Sequence, residues 1–190
     1  SALYGSNGVF ATVNIFTRAP VDSARGRVST EFGSFGEKKV IASASTYLGR
    51  GASLLLSASG FHSAGRSVIL PEVRFPTPSE GQTDHFNGQQ GYHTLAQLTW
   101  QNWSLTANFA DSKILAPGGW YQTDLGNTGT SERDTRNFVE SAYTRAVGKS
   151  STLNWRLSYD QFRYDGRYVY TLESAPVYDE RDFAIGDWVS

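Results

Sequence analysis

Residues 91–110 read GYHTLAQLTWQNWSLTANFA, and the period of two in this stretch decides the fold class. Tyr92, Thr94, Ala96, Leu98 and Trp100 fall on one side of an extended chain, while His93, Gln97, Thr99 and Gln101 fall on the other. Beyond the turn at Gln101-Asn102, Trp103, Leu105, Ala107 and Phe109 alternate with Ser104, Thr106, Asn108 and Ala110. Two such runs joined by so short a turn predict a β-hairpin with one apolar and one wet face. The pattern returns where Leu153, Trp155, Leu157 and Tyr159 alternate with Asn154, Arg156, Ser158 and Asp160. It is fainter, with small residues, at Val40, Ala42 and Ala44 against Ser43 and Ser45, and at Leu54, Leu56 and Ala58 against Ser53, Ser57 and Ser59.

These runs predict strands over residues 26–34, 38–48, 52–63, 91–101, 103–112, 136–147 and 152–164, with an eighth beginning near 182–190. The six prolines, at 20, 71, 76, 78, 117 and 176, lie outside the seven full segments, as strands that must donate every ladder hydrogen bond require. Composition agrees: in 190 residues there are 19 Gly and 14% aromatic residues but no Cys or Met, a mixture suited to a turn-rich all-β chain. Without Cys, disulfides, thiolate metal sites and cysteine nucleophiles are all excluded.

The connections are unequal. Tight turns at Gly49-Arg50, Gln101-Asn102 and Gly148-Lys149-Ser150 alternate with long polar segments over 64–90, 113–135 and 165 to the end. A transmembrane β-barrel keeps short turns on one side of the membrane and long loops on the other, whereas a soluble sandwich mixes the two. Trp100 and Trp103 flank one tight turn and Trp155 follows another, the placement of a membrane-interface aromatic girdle. The same tryptophans could instead plug the open end of a soluble sandwich core.

The first twenty residues, SALYGSNGVFATVNIFTRAP, resemble the closing stretch of the plug domain in TonB-dependent outer-membrane receptors. The resemblance rests on Ser1 to Asn7, then on Val13, Asn14, Ile15, Thr17 and Arg18. The remainder is similar to that family's first barrel strands, notably RVSTEFGSF at 27–35 and YDQFRYDGRYVY at 159–170. The expected fold is thus an all-β antiparallel meander of about seven to eight strands from a transmembrane β-barrel, preceded by the last strand of a plug domain. Residues 1–20 would be the plug's end and 21–190 the first part of the barrel. The resemblance implies a fragment of a longer receptor that binds a scarce nutrient of siderophore, cobalamin or glycan type at the bacterial outer membrane. Import would draw on the TonB energy-coupling complex, contacted through an N-terminal part outside these residues. The partners expected are outer-membrane lipid, that complex and a small-molecule nutrient. Two other readings are a small complete outer-membrane barrel with a structural or adhesin role, and a soluble β-sandwich binding module.

Enzyme chemistry finds no support in the sequence. His62, His85 and His93 lack metal-ligand spacing, and there is no HExxH, GxSxG or P-loop. No catalytic residue, metal or cofactor is therefore expected. Asp84-His85 and the run Asp179 to Asp182 read as solvated loop and turn. With 17 Lys+Arg against 18 Asp+Glu and a net charge of -1, the chain has no basic stripe for nucleic acid. Polar residues Glu140, Arg156 and Asp160 are expected to line the barrel interior. Trp120, Tyr121, Tyr164, Tyr168 and Tyr170 are the substrate-contact candidates, as aromatic groups on loops over a rigid scaffold.

Overall fold

The computed structural model describes residues 25–70, 81–171 and 177–190. The plug segment expected over 1–20 lies outside the described residues. Eight strands form one antiparallel sheet: β1 (Arg25–Phe32), β2 (Lys38–Gly49), β3 (Ala52–Ser63), β6 (Gln89–Trp100), β7 (Trp103–Leu115), β8 (Ser131–Val147), β9 (Ser151–Tyr170) and β10 (Tyr178–Val189). They pair in chain order, as a meander. Between β3 and β6, β4 (Arg66–Ile69) and β5 (Gln82–Phe86) form a separate two-stranded ribbon. The all-β expectation and the strand number hold.

The tight turns sit side by side at one end. Gln101 N donates to Gly51 O at 3.2 Å, and Thr144 N donates to Asn102 O at 2.9 Å, tying the β6–β7 turn to its neighbours. The long connections lie at the other end.

Because ladder partners share a face, the register sorts the side chains. One face carries Leu98, Leu105 and Leu157 beside Ala96, Ala107, Val139 and Tyr159. The opposite face carries Thr99, Ser104, Thr106, Asn108, Glu140 and Arg156. On the apolar face Val28, Leu56, Trp103, Leu105, Phe109 and Leu157 are all exposed. The hydrophobic residues buried in the described chain are instead Ala116, Leu125, Tyr168 and Val169, at the long-loop end. The core thus sits where the long connections meet the end of β9, and the sheet carries an uncovered apolar face.

That apolar band runs obliquely across the sheet. Following the ladder from Tyr159, the top of the band on β9, through Val139, Ala107, Ala96, Leu56 and Ala44 leads to Gly26 on β1. Gly26 lies six residues short of Phe32, the last apolar residue of that face on β1, so from β9 to β1 the band climbs on average one residue per ladder step; on β10, outside that slope, Ile185 and Phe183 also stand on this face. A rise of about 3.3 Å over a strand spacing of about 4.8 Å corresponds to strands tilted about 35° from the normal to the band.

Two expectations are corrected at the long-loop end. Residues 165–170 do not form a loop: β9 continues to Tyr170, and its residues 159–170 pair with the whole of β10. The run Asp179 to Asp182 is likewise part of β10 and not a turn. The reason is a switch of faces: on β9 the apolar residues are Trp155, Leu157 and Tyr159, then Tyr164, Tyr168 and Tyr170, which fall on the other face. A period of two with changed phase reads locally as an end of strand. The segment 64–90 also holds more order than a loop, namely the β4–β5 ribbon.

Candidate functional site

At the tight-turn end, Trp100, Trp103, Tyr143 and Trp155 follow one another along a single ladder row. The ring of Trp103 lies 4.8 Å from Tyr143 and 5.7 Å from Trp155, the latter edge to face. The three expected girdle tryptophans therefore share one face and one level.

On the polar face the three expected lining residues lie close together and paired. Arg156 Nε lies 3.3 Å from Glu140 Oε2, and Asp160 Oδ1 lies 3.8 Å from Arg136 Nη2. His93 meets Asn108 at 2.8 Å, and Ser53 is bonded to Thr99. Each ionised group faces an opposite charge, which lets the surface hold charge beside other polar groups.

Toward the loops the same face becomes aromatic and acidic. Tyr168 Oη donates to Glu132 Oε1 at 2.9 Å and is also bonded to the Tyr164 hydroxyl. Tyr121 packs edge to face on Tyr168 with centroids 5.3 Å apart. Tyr121, Tyr164 and Tyr168 thus form one cluster. Tyr170 instead meets Tyr178 at 6.1 Å, and the Trp120 ring makes no aromatic contact among the described residues. Burial, followed by the bonds to Tyr164 and Glu132, pushes the Tyr168 phenol well above its ordinary range. Burial and then the nearby Glu132 raise the Asp134 carboxyl. Glu132, Asp134, Glu180 and Asp182 all point to this face.

The cluster rests on interlocked connections. Gly118, which would place a Cβ 2.4 Å from the Phe86 ring, allows loop 116–130 to lie against the β4–β5 ribbon. Thr83 Oγ1 donates to Pro117 O at 3.1 Å across the same contact. The loop reaches β9 through Asp124 N to Val169 O at 2.9 Å, and Asp124 Oδ1 accepts from Thr171 N at 2.7 Å. Tyr121 is held in left-handed backbone with φ of 55°, following Gly119, and remains exposed at the surface of this cap.

Sequence reasoning passed over Glu132, Asp134 and Asp124. The signal available was alternation: Glu132 and Asp134 keep the phase of Arg136 and Phe138 on β8, so the strand could have been extended back to them. No group of three or more His, Asp or Glu side chains able to hold a metal occurs among the described residues. Chemically, the cluster offers aromatic faces, phenol groups and carboxylates, a combination that accepts hydrogen bonds from hydroxyl groups while stacking on apolar ring faces. Comparison of the chain with protein-family models, curated proteins and solved structures finds no match.

Proposed function

We propose that the chain is part of the wall of an outer-membrane β-barrel and belongs to a TonB-dependent receptor that binds and imports a scarce nutrient. The apolar face would meet lipid, and the polar face would line the interior. The observation that carries the membrane part is the oblique apolar band. It is uncovered, it begins at a row of aromatic rings, and its inclination of about 35° matches the strand tilt of barrels that cross membranes. A sandwich reading would require those same residues to be buried against a second sheet, yet Leu105, Phe109 and Leu157 are all exposed.

The receptor part rests on the resemblance of residues 1–20 to a plug ending. It rests too on the connections at one end, which join into a cap presenting Tyr121 over the Tyr164–Tyr168–Glu132 group. Such a receptor breaks no substrate bond; binding at the cap is followed by movement of the plug. The tyrosine and carboxylate surface suits a neutral, hydroxyl-rich ligand of glycan type better than an anionic chelate.

The test is genetic. The reading frame around residues 1–190 is expected to supply a signal peptide, a TonB-contacting segment and further alternating strands. Its deletion is expected to abolish energy-dependent uptake of one nutrient. A stop codon directly after residue 190 with no plug-coding sequence upstream would contradict the receptor reading.

A further inference from the structure

At the loop end, the two faces of the sheet carry opposite charge. Beyond the apolar band, the apolar face bears Lys38, Lys113, Arg133, Arg163, Arg167 and Arg181 against Asp111, Asp165, Asp179 and Asp187. At the same level the polar face bears Glu31, Glu132, Asp134, Asp160, Glu180 and Asp182 against Lys39 and Arg136. A chain with a net charge of -1 has been sorted by alternation into a cationic and an anionic surface.

The cations are not arranged to satisfy one another. Lys113 stands directly opposite Arg133, and Arg167 directly opposite Arg181. Like charges opposed across a ladder cost stability. Asp111 takes Arg133, with Nε to Oδ2 at 2.8 Å, and Asp179 takes Arg167 at 2.7 Å. Lys38, Lys113, Arg163 and Arg181 form no ion pair among the described residues.

Two recesses lie next to each other on this face. One, of about 440 Å³, is lined by Arg133, Arg163, Thr135, Asn137 and Gln161 just above the band, with Asp111 and Asp165 at its wall. The other, of about 530 Å³, is a shallow groove where Ala42, Ala44, Ala58 and Ala96 lie low between Val28 and Phe109. The two meet at the ladder pair Phe109 and Asn137. The first recess itself balances two guanidinium groups against two carboxylates, and Lys113 stands across the ladder from Arg133 at its upper edge. A guanidinium-bearing recess on a face of excess positive charge that opens onto an apolar groove has the layout of an amphiphile.

We propose that this face holds an anionic membrane lipid, with its phosphorylated headgroup on Arg133, Arg163 and Lys113 and an acyl chain along the small-residue groove. The inference rests on the membrane reading above, because only then does the face meet lipid. A phosphate there relieves the opposed Lys113 and Arg133, and its doubly accepting oxygens suit the guanidinium forks.

The test is native mass spectrometry of the full chain in nonionic detergent, titrated with phosphatidylglycerol or phosphatidylcholine. Phosphatidylglycerol should be retained in preference. Lys113→Gln and Arg163→Gln should each weaken its retention about fivefold. Lys113→Arg should keep it. Lys39→Gln, which removes a charge at the same level from the other face, should leave retention unchanged, with circular dichroism showing equal strand content in every variant. Equal retention of both lipids by a chain that enters the micelle would overturn this proposal while leaving the membrane reading intact. An equal loss with Lys39→Gln would overturn it as well. A chain that stays folded and monomeric in buffer and takes up neither detergent nor lipid would overturn both.

Discussion

Placing an arginine at Ala107 tests which medium meets the apolar face. Ala107 lies on β7 between Leu105 and Phe109, with Ala96 and Val139 as its ladder partners. It is four residues from Trp103, about 14 Å along the strand and, at a tilt of about 35°, about 11 Å in depth from the aromatic row. An outer-membrane barrel has an apolar band about 25 Å tall, so Ala107 falls close to its middle. Arginine at the midplane costs about 2–4 kcal/mol, with the cost falling toward the interfaces. That is a change of roughly 30- to 1000-fold in the folding equilibrium. The control is its neighbour: Thr106 points to the other face, next to Glu140, and Thr106→Arg gains an opposite charge there, with an effect within about 0.5 kcal/mol. Equilibrium urea unfolding in phospholipid vesicles, followed by tryptophan fluorescence, measures both variants. If Ala107→Arg and Thr106→Arg shift the midpoint equally, or if Ala107→Arg shifts it by less than about 0.5 kcal/mol, the face does not meet lipid and the assignment of the two faces is refuted.

The cap allows further checks. Leu125 is 3% exposed, and Leu125→Ala should cost about 2–4 kcal/mol, read as faster amide hydrogen exchange over 116–130 with β2 and β3 unchanged. The Thr123 hydroxyl is buried without a hydrogen-bond partner among the described residues. Thr123→Val should therefore raise stability, by about 1 kcal/mol in thermal or urea unfolding, since an unmade hydrogen bond is lost with the group. The bond from Arg167 holds the Asp179 carboxyl below its ordinary value. A depressed folded-state pKa adds stability above the ordinary carboxylate range that is lost as pH falls through the depressed value. In carboxyl NMR titration, Arg167→Gln should return Asp179 toward the ordinary range. Gly118→Ala should loosen the cap, because its Cβ would meet the Phe86 ring, and limited proteolysis within 116–130 should report it.

How much of this was legible in the sequence depended on whether the phase of alternation stayed constant. From Trp100 to Phe109 the apolar residues keep one phase through a two-residue turn, and hairpin, register and faces all follow from it. The tryptophan row was legible too, since Trp100 and Trp103 flank the turn. Phase was lost on β9, where the apolar residues change sides around Gln161 and Arg163; Tyr164 to Tyr170 therefore read as loop although they are strand. The same change explains the missed Glu132 and Asp134: a strand that extends past the band carries polar and charged residues on both faces, and polarity stops marking the fold there. The cap was not legible at all. Its order comes from contacts distant in sequence, such as Thr83 with Pro117 and Asp124 with Thr171, which no local pattern announces. The pairing of Glu140 with Arg156 and of Asp160 with Arg136 follows from register alone once β8 and β9 are aligned.

The most direct test of the central claim uses the tryptophans themselves. Trp100, Trp103 and Trp155 lie on the apolar face, whereas Trp188 points to the other. In variants that keep Trp103 or Trp188 as the one tryptophan, folded into vesicles of phospholipid brominated on the acyl chain, bromine quenching reports contact with lipid. A barrel wall predicts strong quenching of Trp103 and little of Trp188. Equal quenching of the two, or a chain that remains folded, monomeric and unquenched in the aqueous phase, would contradict it.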